Sequence, residues 1–240
     1  MPQQNLSRIY SLVDLTTLNG DEQEADLSAL AAKATFGTNK VAALCVYPKF
    51  VPVIRPFAPA GMPIAAVTNF PGGGNDMDQA DAETREAIAL GADEIDYVLP
   101  YKALMTGDVE MVVEALECQR IACGDTHLKV IIESGVLEDA GLIALASELS
   151  LDAGADFIKT SSGKVAVNAT LEAADTMLSV IKAADKPAGF KAAGGIKTAD
   201  EAQAYIDLAE NIMGEGWVSP DTFRIGASSL IADLQTALSA

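Results

Sequence analysis

GADFIKTSS, residues 154–162, runs from a helix-closing Gly-Ala into a short run of aromatic and β-branched residues and ends in hydroxyls. The run is too short for a helix and rich in strand-forming residues, so it reads as a strand entered from a helix. Residues 91–100, GADEIDYVLP, repeat the arrangement. Outward from these two, similar runs occur at 12–15 (LVDL), 41–47 (VAALCVY), 63–70 (PIAAVTNF), 128–134 (LKVIIES), 188–194 (AGFKAAG) and 223–229 (FRIGASS). Between them lie Ala- and Glu-rich stretches with helical character at 78–92, 108–123, 138–153, 170–184 and 198–212. Eight alternating units in 240 residues predict a parallel sheet covered by helices, in the form of a TIM (β/α)8 barrel with a short N-terminal helix. An open doubly wound sheet is the alternative. No linker or shift of composition divides the chain, so residues 1–240 are expected to form a single barrel domain. Gly72-Gly73-Gly74 is expected to be a flexible loop after the third strand.

Composition narrows the partners. Thirty-four acidic against 16 basic side chains give a net charge of −18, which argues against nucleic acid or anionic membrane as a partner and requires any anionic ligand to be held by local geometry. The first ten residues, MPQQNLSRIY, have neither a secretory nor a transit-peptide pattern, so a cytoplasmic location is expected. Cys45, Cys118 and Cys123 show no paired spacing, which predicts neither a disulfide framework nor a zinc site.

Parallel strands buried on both faces should be apolar, and a charge inside one needs a reason. Asp96 in EIDYV, Lys159 in DFIKTS and Lys191 in AGFKAA are such intrusions. Each alone fits a paired interior ion or a strand end that reaches solvent. Together, on the fourth, sixth and seventh runs, they fit catalytic groups gathered from several strand ends. A lysine becomes nucleophilic when its pKa falls from about 10.4, and burial or a second ammonium lowers it. Two lysines from adjacent strands therefore suit one neutral nucleophile and one retained cation, with Asp96 pairing the cation and passing protons through water.

This constellation points to carbonyl chemistry. The single histidine, His127, makes a histidine-held metal improbable, and no metal is expected, although oxygen-ligated magnesium stays open. His127 itself reads as structural or solvent-facing, and Cys45 as a small apolar residue that could line a pocket. Three turns, Ser161-Ser162-Gly163-Lys164, Ala193-Gly194-Gly195-Ile196-Lys197 and Gly226-Ala227-Ser228-Ser229, follow the last three runs and suit a phosphate. Ser228 and Ser229 would open a terminal helix.

The stretches VDLTTL (13–18), ALCVYPKF (43–50), AVTNFPGG (66–73), DEIDYVLPYKAL (93–104), KVIIESG (129–135), DFIKTSSGKVAVNAT (156–170), GFKAAGGIKT (189–198) and FRIGASSL (223–230) resemble the deoxyribose-phosphate aldolases, over nearly the whole chain. The resemblance implies a class I aldolase that needs no cofactor, with a Schiff base on Lys159, a pKa-lowering Lys191 and a proton-handling Asp96. It implies phosphate binding by Gly163, Lys164, Gly194, Gly195, Gly226, Ser228 and Ser229, and substrate binding near the pocket by Asp14 and Cys45. Its ligands would be a phosphorylated sugar, 2-deoxy-D-ribose 5-phosphate, and acetaldehyde; a homodimer is compatible with it. A silent phosphosugar-binding barrel and an aldolase for another phosphorylated sugar are the competing readings. The chain departs from the family pattern at Ala192, where many relatives have proline, and at Ser162, where threonine is common. It also ends at Ala240 without the tyrosine-terminated tail of some members, from which lower turnover is expected.

Overall fold

The computed structural model describes residues 1–184 and 186–239; Asp185 and Ala240, the last residue of the expected domain, lie outside the described residues. Eight parallel strands close a barrel: β1 (Val13–Thr16), β2 (Ala43–Val46), β3 (Ile64–Thr68), β4 (Glu94–Val98), β5 (His127–Ile131), β6 (Phe157–Lys159), β7 (Gly189–Ala193) and β8 (Phe223–Ala227). Closure is direct, since β1 pairs with β2 on one side and β8 on the other. The predicted barrel is therefore the observed fold, and the open sheet is not.

Helices predicted from periodicity occur at Met77–Ala89, Val109–Cys123, Ala140–Asp152, Leu171–Ala184 and Ala199–Met213. Asp76, Asp108, Asp139 and Thr198 cap four of them by accepting backbone N–H bonds, satisfying donors that the first turn leaves unpaired. The N-terminal helix, Gln3–Ser11, buries Leu6, Ile9 and Tyr10 and packs against the terminal helix Leu230–Leu238. The sequence reading did not delimit helix Glu24–Ala32, the Thr35–Phe36 and Asn39–Lys40 hairpin, or the one-turn helices Tyr101–Met105 and Ser134–Leu137. Glu24–Ala32 buries only Leu27 and Ala31, so its periodicity is faint, and the others are too short to show any.

The loop after β3 departs from expectation. Asn69 donates to the Gly74 and Val98 carbonyls at 2.9 Å each and accepts from the Gly74 N–H at 3.0 Å. Gly73 has φ +56° and lies where a Cβ would come within 2.5 Å of the Leu99 carbonyl oxygen. Gly73 serves close packing against the β4 end, and Asn69 ties Gly74 down by hydrogen bonds.

The barrel interior is divided. Beside β2 and β3 it is apolar, with Leu18, Cys45, Ala65 and Val67 in one buried cluster. At Gly189 a Cβ would meet the Phe157 ring at 2.3 Å. Gly189→Ala is therefore expected to lower stability by about 1–3 kcal/mol through overpacking, read as a fall in denaturant midpoint. An unchanged midpoint would show that the Phe157 ring yields freely. No helix among the described residues is long and apolar enough to cross a membrane.

Candidate active site

The rest of the interior carries charge and adjoins the apolar cluster, with Cys45 next to Asp96. Register aligns Lys159 with Lys191, Lys191 with Arg224, and Asp96 with Lys129 on neighbouring strands. Residues in register project on the same side of a parallel sheet, so these groups meet inside the barrel. Asp14, Asp96, Lys129 and Lys191 are fully buried, and Lys159 is 3% exposed.

Asp96 is the hub. Its Oδ2 accepts from Lys159 Nζ at 2.7 Å and Lys191 Nζ at 2.8 Å, and its Oδ1 from Lys129 Nζ at 2.8 Å. Lys191 also donates to Asp14 Oδ2 at 2.5 Å, while Arg224 donates to Asp14 Oδ1 at 2.7 Å. Glu94 closes the network through Lys129 at 2.5 Å and Arg224 at 3.3 Å. In this directly paired set, among the described residues, four cationic side chains face three carboxylates. Buried charge that is not balanced is expensive, so the set is neutral when one amine gives up its proton.

Lys159 is the amine whose surroundings favour that loss. Burial lowers its pKa, Asp96 opposes the fall, and the Lys191 ammonium on the same carboxylate oxygen adds to it. Two ammonium groups drawn to one carboxylate oxygen repel, and the repulsion falls on Lys159, which has Asp96 alone, more than on Lys191, which also holds Asp14. Lys191 moves the other way. Burial disfavours its charge, but Asp14 and Asp96 outweigh that and raise its pKa, so it stays a cation. Burial alone would push the Asp96 carboxyl up; Lys129, Lys159 and Lys191 hold it well below the usual carboxylate range. The carboxylates of this set are saturated by the chain's own cations, which leaves little for a metal ion to bind.

Above Lys159 opens a cavity of about 330 Å³. Thr16, Thr17, Leu18 and Asn19 form one wall; Ser162, Gly163 and Lys164, then Ala193 to Lys197, then Gly226 to Ser229 form the rest. All seven residues predicted for phosphate thus line one cavity with Lys159. Its charged lining residues are Lys159, Lys164 and Lys197, with no carboxylate, in a chain that is acidic overall. Ser229 precedes the helix Leu230–Leu238, whose N-terminus favours an anion there. Gly226 makes room for the centre: a Cβ there would come within 3.2 Å of Lys191 Cε.

Asp96 and Lys191 lie beneath the cavity, and so do Asp14 and Cys45, which do not line it. Asp14 is paired with Lys191 and Arg224 within the charge network. Cys45 Sγ is 4.0 Å from Asp96 Oδ2, and burial followed by the Asp96 charge pushes its thiol up, away from a reactive thiolate. His127 is solvent-exposed at the start of β5. Sequence reasoning passed over Lys129, Arg224 and Glu94, although the rule that found Lys159 applies equally to Lys129 in LKVIIES and Arg224 in FRIGASS.

A family model described as DeoC/LacD family aldolase matches residues 8–236. The apo form of a protein from Toxoplasma gondii ME49, provisionally assigned as a deoxyribose-phosphate aldolase, superposes with a TM-score of 0.91 at 24% identity, covering 99% of this chain and 96% of that one. A protein named QR15 and described as an aldolase gives 0.82 at 29% identity over 96% of each chain. Deoxyribose phosphate aldolase from Aeropyrum pernix, described as having a unique tetrameric structure, gives 0.76 at 23% identity, with 99% and 96% covered. The first and third of these likenesses, below 25% identity, speak to the fold.

Proposed function

Because this chain belongs to the DeoC/LacD aldolase family, we propose that it cleaves 2-deoxy-D-ribose 5-phosphate reversibly into D-glyceraldehyde 3-phosphate and acetaldehyde, through a Schiff base on Lys159. The observation that carries this reading is the cavity itself: an amine with a lowered pKa at its floor, three phosphate-suited turns and two further lysines at its rim, and no carboxylate between them.

In the cleavage direction the neutral Lys159 amine attacks the open-chain aldehyde carbon, and the carbinolamine loses water to give a protonated imine. As the C3 hydroxyl gives its proton to water, the C2–C3 bond breaks toward that imine, releasing the phosphorylated aldehyde and leaving an enamine. Protonation and hydrolysis of the enamine release acetaldehyde. The protonated imine is the electron sink, so the reaction calls for no cofactor. Lys191 keeps its charge and lowers the pKa of Lys159. Asp96 holds the amine through its 2.7 Å bond, and exchanges protons with the carbinolamine through water. Gly163, Lys164, Gly194, Gly195, Gly226, Ser228 and Ser229 receive the phosphate, and Asp14 supports the reaction indirectly by anchoring Lys191. With this reading go action as one domain, a cytoplasmic location and a homodimer; the tetramer described for the Aeropyrum pernix protein is the competing assembly.

Borohydride reduction in the presence of acetaldehyde tests the proposal. The expected result is an ethyl group on Lys159, located by peptide mass, together with aldehyde release from 2-deoxyribose 5-phosphate in a coupled assay. A silent phosphosugar-binding barrel would bind the sugar and release nothing. Cleavage of fructose 1,6-bisphosphate in its place would assign the chain to another phosphorylated sugar.

A further inference from the structure

We propose that Glu133 is a positioning residue for the anion end of the cavity: it holds the Ser162–Lys164 turn in the shape that receives phosphate, without taking part in the covalent chemistry. The proposal rests on the phosphate reading given above.

Glu133 follows β5 with φ +54°, a left-handed conformation uncommon in residues other than glycine and found disproportionately at functional sites. It is fully buried and does not line the cavity. Its Oε1 accepts from the Ser162 backbone N–H at 3.1 Å, and Ser162 Oγ in turn accepts from the Lys164 backbone N–H at 3.1 Å. A two-bond relay thus runs from a buried carboxyl to the lysine at the cavity rim. The backbone on either side of Glu133 is anchored to the same strand end: Ile132 N–H donates to the Lys159 carbonyl at 3.0 Å and Ser134 N–H to that of Thr160 at 2.8 Å.

Neither stability nor solubility accounts for this residue. A left-handed position is better served by glycine, and Glu133 Oε2 is buried with no hydrogen-bond partner among the described residues. A carboxylate behind an anion site would also oppose the ligand. Burial, however, pushes the Glu133 carboxyl up, in the direction that reduces this opposition, and Oε1 accepts from the Ser162 N–H whether the group is charged or neutral.

Glu133→Gly and Glu133→Gln separate this role from a general structural one. Glycine relieves the left-handed backbone, so the variant should fold, yet it deletes the acceptor. KM for 2-deoxyribose 5-phosphate should then rise about tenfold, the scale of one lost hydrogen bond of this kind, while KM for unphosphorylated 2-deoxyribose stays within about twofold. Glutamine keeps a neutral carbonyl acceptor and should restore the phosphorylated-substrate KM to within about threefold of the parent. Equal losses on both sugars, or no change on either, would overturn the proposal. If the parent protein itself shows no preference for the phosphorylated sugar, the phosphate reading fails first, and this inference fails with it.

Discussion

Lys159→Leu should lower kcat/KM by about 10⁴-fold or more, the scale on which enzymes respond to loss of a covalent nucleophile, and should abolish borohydride labelling by acetaldehyde. Leucine fills much of the space left by the lysine stem. Asp96 keeps Lys129 and Lys191 at 2.8 Å each, so no carboxylate is stranded. Replacing a buried ionisable group by an apolar one under those conditions is neutral or stabilising, so the thermal midpoint should not fall. A folded, inactive and unlabelled variant is the expected outcome. Labelling that survives would move the nucleophile to Lys164 or Lys197, the other amines that line the cavity.

Lys191→Met should have the next largest effect, and its signature is a pH dependence. In the parent set four cationic side chains face three carboxylates, and a neutral Lys159 balances them. Without Lys191 the balance requires Lys159 to be protonated, and Asp96 at 2.7 Å stabilises that ammonium. The Lys159 pKa therefore rises. Because the free amine is the reactive form, kcat/KM falls as pH drops through that pKa, so the acid limb of the profile moves to higher pH. A loss of about 10²–10³-fold is expected at neutral pH, recovered in part as pH increases. Asp14 keeps Arg224 at 2.7 Å and Lys129 at 3.8 Å, which protects the fold. A uniform loss at every pH would instead assign Lys191 a positional role without an electrostatic one.

These two variants rest on residues that were visible before any coordinates. Lys159, Lys191 and Asp96 stood out because each interrupts a run that a doubly covered strand should keep apolar, and that rule is local. The eight strands were legible for the same reason. Length, β-branching and the helices between them are properties of neighbouring residues, and their order along the chain is the order around the barrel. The acidic composition likewise showed in advance that an anionic substrate would need a locally cationic site.

What the chain does not display is how strand register and closure bring distant charges together. Lys191 and Asp14 are 177 positions apart, and Arg224 and Asp14 are 210 apart, yet each pair shares a hydrogen bond. Lys129 and Arg224 interrupt apolar runs just as Lys159 does, but their pairing with Asp96, Asp14 and Glu94 exists only in the closed barrel. The same closure places Asp14 and Cys45 beneath the cavity instead of on its wall, and it packs Gly73 against the end of β4. The amino-acid sequence by itself determined the fold and named a lysine out of place in an apolar strand. The tertiary structure decided which charges set the protonation of that lysine. Its pKa depends on the sum of buried charges around it, and that sum exists only once eight strands have closed in one register.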